Sequence, residues 1–284
     1  METIRALQQV ASPALDQLML WITELGSERA YVALLLIAYL GVGPSKGRRL
    51  AVYFLVGSYL NQQLKGLFET VRPFELDPTV LRSEAAGETA QGSGFPSGHA
   101  QSSTTYWGLA ALYVGRRIFT LLAILLIALV SISRVFLGVH FPVDVVGGVL
   151  LGLAVVSLGA GLDRLWYPPD AWLGVMLGIA IPLLLHLLFP TPESNLILGG
   201  LAGFLTGPIF VIHRPPRSLL RRALISLLGI VLVFGYLFGA SAALPGQVRD
   251  HALWGFIYYL ALTYVGLVLV PLLGRALRLG RPAS

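Results

Sequence analysis

Residues 118–162 read "IFTLLAILLIALVSISRVFLG" (118–138), "VHF" (139–141) and "PVDVVGGVLLGLAVVSLGAGL" (142–162). Each long run is almost wholly apolar, and a helix of about 20 residues suffices to cross a bilayer's hydrocarbon core. The pair therefore predicts two membrane spans joined by a very short turn. Further apolar runs flank this pair at 29–45, 48–65, 98–114, 171–189, 195–212, 221–240 and 252–273. Composition agrees: 56% of residues are apolar, 12% are charged and the mean hydropathy is +0.76, which excludes an ordinary soluble domain. The expected fold is all-α, a polytopic transmembrane helical bundle of about nine spans. Before the first span, Ile4, Leu7, Ala11, Leu15, Leu18, Ile22 and Leu25 recur at helical spacing with Gln8, Gln9, Asp16 and Gln17 between them. That pattern predicts one amphipathic helix lying at the membrane interface.

Basic residues give the orientation. With nine spans, Lys46, Arg48, Arg49, Arg116, Arg117, Arg164, Arg214, Arg217, Arg221, Arg222, Arg275, Arg278 and Arg281 share one face, expected to be cytoplasmic. Arg5, Arg29, Lys65, Arg72, Arg82, Arg134 and Arg249 fall on the other with most of the acidic residues. The formal charge of +6 thus reflects topology and contact with anionic lipid, and no nucleic-acid partner is expected. There is no cysteine, so thiol chemistry and disulfides are excluded. The first twenty residues lack a basic n-region and a cleavage site and are expected to be retained.

Three polar clusters collect on the outer side. "KGLFETVRP" (65–73) carries Lys65 and Arg72, "GFPSGH" (94–99) carries Ser97, Gly98 and His99, and "SRVFLGVHFPVD" (133–144) carries Arg134, His140 and Asp144. Charges at this depth are costly unless they serve a site. Lys65, Arg72 and Arg134 suit a phosphoryl group, arginine offering paired donors and lysine a point charge. Ser97 and Gly98 open a span, so their backbone N–H groups are expected to face outward at a helix N-terminus, a seat for phosphate. A helix beginning near 140 would bring Asp144 onto the face of His140, to take its Nδ1 proton and leave Nε2 as nucleophile. His99 is then available to protonate the leaving oxygen.

K-x6-R-P at Lys65 to Pro73, P-S-G-H at Pro96 to His99 and S-R-x5-H-x3-D at Ser133 to Asp144 resemble the tripartite signature of the type 2 phosphatidic acid phosphatase superfamily, in its integral-membrane lipid phosphatase branch. The resemblance implies a phosphohistidine at His140, oriented by Asp144, with His99 as general acid. It also implies phosphate held by Lys65, Arg72, Ser97, Gly98 and Arg134, with no metal and no cofactor. It covers roughly residues 12–162.

A phosphatase core is accordingly expected over residues 1–165, followed by a four-span region of unassigned role over 166–284. The expected substrate is a lipid phosphate or isoprenyl diphosphate drawn from the bilayer. The site would face the periplasm or exterior of a bacterial inner membrane. A soluble sugar phosphate is the alternative, although hydroxyl-binding candidates on the outer side are few, Gln91, Gln101 and Asn195 being among them. A lipid transporter would need the cations but not a His–Asp pair plus a second histidine. Residues 74–95, rich in charge and ending in Gly92–Ser93–Gly94, are expected to form a hydrated flap with a hinge. His186, within "PLLLHLLF", is expected to be a hydrogen-bonded core histidine, and Asp163 and Asp170 to pair with nearby basic residues.

Overall fold

The computed structural model describes residues 1–90, 92–162, 171–243, 245 and 251–279. Gln91, Asp163, Arg164, Asp170, Arg249 and Arg281 lie outside them. Among the described residues the regular structure is all helical, without strands. Two compact units form, one from Met1–Tyr31 and Leu60–Arg164, the other from Val32–Tyr59 and Leu165–Ser284.

The first unit is built on α7 (Gly98–Val114), α8 (Arg117–Phe136) and α9 (Pro142–Leu162). Gly148 and Gly152 let α9 approach α7 closely, because a Cβ at Gly148 would lie 2.4 Å from the Ser97 carbonyl oxygen and one at Gly152 2.5 Å from Thr104 Cβ. The N-terminal segment is two helices rather than one, α1 (Glu2–Gln8) and α2 (Pro13–Glu24). Pro13 has no N–H to continue a helix and sits at the first position of α2, where Ser12 caps it. The first of them is tied to the loop that follows Phe68 and to α8. Arg5 pairs with Asp77 at 2.7 Å, and Gln8 donates to the carbonyls of Val80 and Phe136.

Residues 73–90 are the other half of this contact, and they are not a hydrated flap. Short helices α5 (Pro73–Leu76) and α6 (Glu84–Glu88) fold them back on the bundle. Ala86 and Ala90 are buried with Phe136, Leu137 and Val139, and Leu7, Leu15, Met19 and Leu20 pack against them. Arg82 grips Asp16 through two hydrogen bonds of 3.0 and 2.7 Å. A partly exposed pair of this kind contributes about 1 kcal/mol at most, so the apolar contacts carry the larger share.

The turn from α8 to α9 depends on Gly138. It adopts φ +75°, the left-handed conformation that ends a helix, and the N–H groups of Val139 and His140 then bond to the Arg134 carbonyl. A Cβ at Gly138 would stand 2.0 Å from the Val80 carbonyl oxygen. Gly138→Ala therefore combines backbone strain with a clash against main chain, and a loss of at least about 2 kcal/mol is expected. Thermal unfolding in detergent should show it as a clearly lowered Tm, and an unchanged Tm would contradict this account of the turn.

The second unit contains the C-terminal part of α3 (Glu28–Leu36) with the π-helical turn Ile37–Val42, most of α4 (Pro44–Phe68), and α10 (Ala171–Leu188), α11 (Ser194–Phe210), α12 (Leu219–Ala243) and α13 (Ala252–Ala276). α11 packs against α10 and α13. Pro208 deprives the Phe204 carbonyl of its helical donor, and Arg48 supplies one at 3.0 Å. His186 is a buried, fully bonded histidine as expected, joined to Ser194 Oγ and the Ala252 carbonyl.

Each of the nine apolar segments is helical. Among the described residues four helices, Arg117–Phe136, Pro142–Leu162, Leu219–Ala240 and Ala252–Ala276, are by themselves long and apolar enough to cross a membrane. The count rises to five if Pro13–Glu24 with Glu28–Val42 is one bent span.

Candidate active site

The three polar clusters converge within the first unit. Lys65 stands near the end of α4, Arg72 immediately before α5, Ser97 at the N-cap of α7, Arg134 near the end of α8, and His140 and Asp144 astride the start of α9.

His140 lies outside α9, whose first residue is Pro142. A residue preceding proline is disfavoured in helical conformation, so the helix starts two residues later than expected. Asp144 is consequently the third helical residue, where a carboxylate reaches back to the first unpaired N–H. Its Oδ2 accepts from the Phe141 N–H at 2.8 Å and lies 3.4 Å from His140 Nδ1. The carboxylate thus comes near the ring from a cap rather than along a helix face, and Nδ1 has no hydrogen-bond partner among the described residues.

Arg72 fixes the other ring nitrogen. Its Nη1 lies 3.0 Å from His140 Nε2 and also donates to the Val139 carbonyl. Guanidinium is only a donor, so Nε2 must be an acceptor and the ring proton of neutral His140 sits on Nδ1, facing Asp144. Burial, then the charges of Arg134, Arg72, Lys65 and His99, holds the His140 pKa well below the ordinary histidine value. The ring is therefore neutral near pH 7, with its Nε2 lone pair available. Burial also pulls Arg72 down to about 10, against the opposing charges of Glu75 and Asp144, and it remains a cation.

Several groups expected to await a ligand are held by main chain. Arg72 Nε and Nη2 donate to the carbonyls of Gly92 and Ser93, and Lys65 Nζ donates to the same Ser93 carbonyl at 2.5 Å. The Gly92–Ser93–Gly94 stretch is fixed further by Thr70, whose carbonyl takes the Gly94 N–H and whose Oγ1 takes the Phe95 N–H. It is a clamped strand of chain rather than a hinge. The Ser97 N–H does not face outward, because it donates to the Asp144 carbonyl at 2.9 Å. This bond ties the start of α7 to that of α9. The N–H groups of Gly98 and His99, in the first turn of α7, precede its first intrahelical bond, from Gln101 N–H to the Ser97 carbonyl.

Arg134 is fully buried, with Nη1 donating to Thr23 Oγ1 and Thr89 Oγ1 and Nη2 to the Thr89 carbonyl. Neither threonine was a sequence candidate. A single threonine on an amphipathic helix or after a short loop helix carries no local signal. His99 Nε2 is buried and has no hydrogen-bond partner among the described residues. A buried nucleophile, an unpartnered acid or base, three cations and helix N–H groups together suit attack on a phosphoryl group.

Comparison with known proteins bears on the same residues. The sequence profile of the PAP2 superfamily matches residues 46–162, which include all three clusters. Phosphatidylglycerophosphatase B of Bacillus subtilis is 30% identical over 168 residues, covering 55% of this chain and 78% of that protein. The chain belongs to the PAP2 superfamily. Undecaprenyl-diphosphatase of Sulfolobus acidocaldarius is likewise 30% identical, over 151 residues that cover 52% of this chain and 71% of the relative. Among solved structures, the crystal structure of a transmembrane PAP2 type phosphatidylglycerolphosphate phosphatase from Bacillus subtilis is 28% identical, with a TM-score of 0.48 over 59% of this chain and 85% of that one. The protein is an integral-membrane phosphatase of the PAP2 superfamily.

Proposed function

We propose that this PAP2 phosphatase removes phosphate from lipid phosphates or isoprenyl diphosphates through a phosphohistidine on His140. The observation that carries the proposal is the state of the His140 ring, with Nε2 unprotonated against Arg72 and Nδ1 3.4 Å from the Asp144 carboxylate. The incoming phosphate displaces the Arg72 contact to Nε2. Nε2 then attacks phosphorus, the N–P bond forms as the P–O bond to the alcohol or phosphate leaving group breaks, and His99, which takes up a proton once the anionic phosphate is bound beside it, gives that proton to the departing oxygen. Asp144 offsets the positive charge that the phosphorylated ring acquires. Water, losing a proton to His99, next attacks phosphorus and releases inorganic phosphate, restoring His140. Lys65, Arg72, Arg134 and the N–H groups of Gly98 and His99 balance the charge on the three equatorial oxygens, which makes the reaction independent of added metal.

A lipid substrate is supported by the position of these residues at helix ends, where a head group meets protein while its chains remain in hydrocarbon. Each buried methylene adds roughly 0.8 kcal/mol, so chains can dominate affinity. The relatives, a phosphatidylglycerophosphatase and an undecaprenyl-diphosphatase, point the same way. In this reading nine spans place the site on the non-cytoplasmic face, in a bacterial inner membrane, with the phosphatase in residues 1–165 and no role assigned to 166–284. The test compares kcat/KM for phosphatidate, sphingosine phosphate and a polyprenyl diphosphate in mixed micelles containing chelator with that for glucose 6-phosphate. Lipids should be preferred, with rates rising with chain length. Preference for the sugar phosphate, or dependence on added Mg²⁺, would overturn the proposal.

A further inference from the structure

The geometry points to Thr23 and Thr89 as positioning residues that hold Arg134 by one end and leave a single edge of its guanidinium for phosphate. This inference rests on the reading of Arg134 as a phosphate ligand. A guanidinium carries five N–H donors in a fixed plane. Thr89 takes the end of the fork, its Oγ1 accepting from Nη1 at 2.8 Å and its carbonyl from Nη2 at 3.1 Å. Thr89 O–H itself donates to the Ala86 carbonyl, so Thr89 Oγ1 has only acceptor capacity left for Arg134. Thr23 Oγ1 takes the second Nη1 hydrogen at 2.7 Å. What remains is the Nε–H and the adjacent Nη2–H, two parallel donors along one side. Nε is buried and has no partner among the described residues. That side matches the paired oxygens of a phosphate.

α2 thereby takes part in the site, although Thr23 precedes the residues matched by the superfamily profile. Gly26, just past α2, leans on the same place, since a Cβ there would lie 3.0 Å from His99 Cδ2 and 2.7 Å from Val130 Cγ1. Thr23 is fully buried, so it has no solvent-facing role to explain the hydroxyl. Valine has the same shape without it.

The test uses the full chain in detergent–lipid micelles, with orthovanadate as the phosphate probe and binding measured by calorimetry, so that turnover is not needed. Thr23→Val should weaken vanadate binding about tenfold, in keeping with loss of one hydrogen bond to a charged group. Thr23→Ser should restore most of the affinity. In an Arg134→Lys background, where the fork no longer exists, Thr23→Val should have no further effect. Thr89→Val, which keeps the carbonyl contact, should act in the same direction and serves in its place if Thr23→Val does not fold. Wild-type affinity in both valine variants beside weak binding in Arg134→Lys would overturn the positioning role while leaving Arg134 a phosphate ligand. An equal loss in the lysine background would also overturn it, by showing a general packing effect. Wild-type binding in Arg134→Lys would instead remove the phosphate-ligand reading itself.

Discussion

His140→Ala should lower turnover by at least about 10⁴-fold, because no other group in the site offers a lone pair at the position of Nε2. The fold should survive. Arg72 retains the carbonyls of Val139, Gly92 and Ser93 when the ring is removed, and the turn is held by Gly138 and by main-chain bonds to the Arg134 carbonyl. Steady-state assay of the purified variant with phosphatidate, alongside its Tm, checks both halves of the expectation. Residual activity within tenfold of wild type would mean that phosphorus is attacked by something other than His140.

Asp144→Asn should lower kcat by about 10³-fold with little change in KM. Asp144 Oδ2 does two things in the structure, accepting the Phe141 N–H at 2.8 Å and facing His140 Nδ1 at 3.4 Å. An asparagine oxygen can take over the first of these and so keep the helix cap. It brings no negative charge to the second, and a ring phosphorylated on Nε2 with a proton on Nδ1 is cationic. The cost therefore falls on the step that forms the phosphohistidine rather than on substrate binding. Separate determination of kcat and KM in mixed micelles measures it. A rise in KM with kcat unchanged would assign Asp144 to binding and contradict its role beside the ring.

The site was more legible in the sequence than the fold around it. Lys65, Arg72, His99, Arg134, His140 and Asp144 are conspicuous because polar groups at span ends in so apolar a chain demand a reason. Spacing then indicates which of them meet. The route by which they meet was less visible. Pro142 displaces the start of α9, so Asp144 reaches His140 through a helix cap and not along a helix face. Pro13, preceded by Ser12, similarly divides the N-terminal amphipathic pattern, and Leu7, Ala11 and Leu15 of its apolar face pack on Ala86 and Ala90 while Leu18 and Leu25 stay exposed. Those two alanines sit in a stretch whose charges suggest solvent, and only the chain folded over them shows that they are buried. Thr23 and Thr89 were illegible for a related reason: each is an ordinary residue locally, and its meaning comes from Arg134, 111 and 45 positions away.

One covalent bond, between phosphorus and His140 Nε2, defines the proposed mechanism. Radiolabelled phosphatidate mixed with the wild-type chain, quenched within one turnover without acid and mapped by peptide, should place the label on His140 and nowhere else. Label on His99, or no label on any residue during normal turnover, would contradict it.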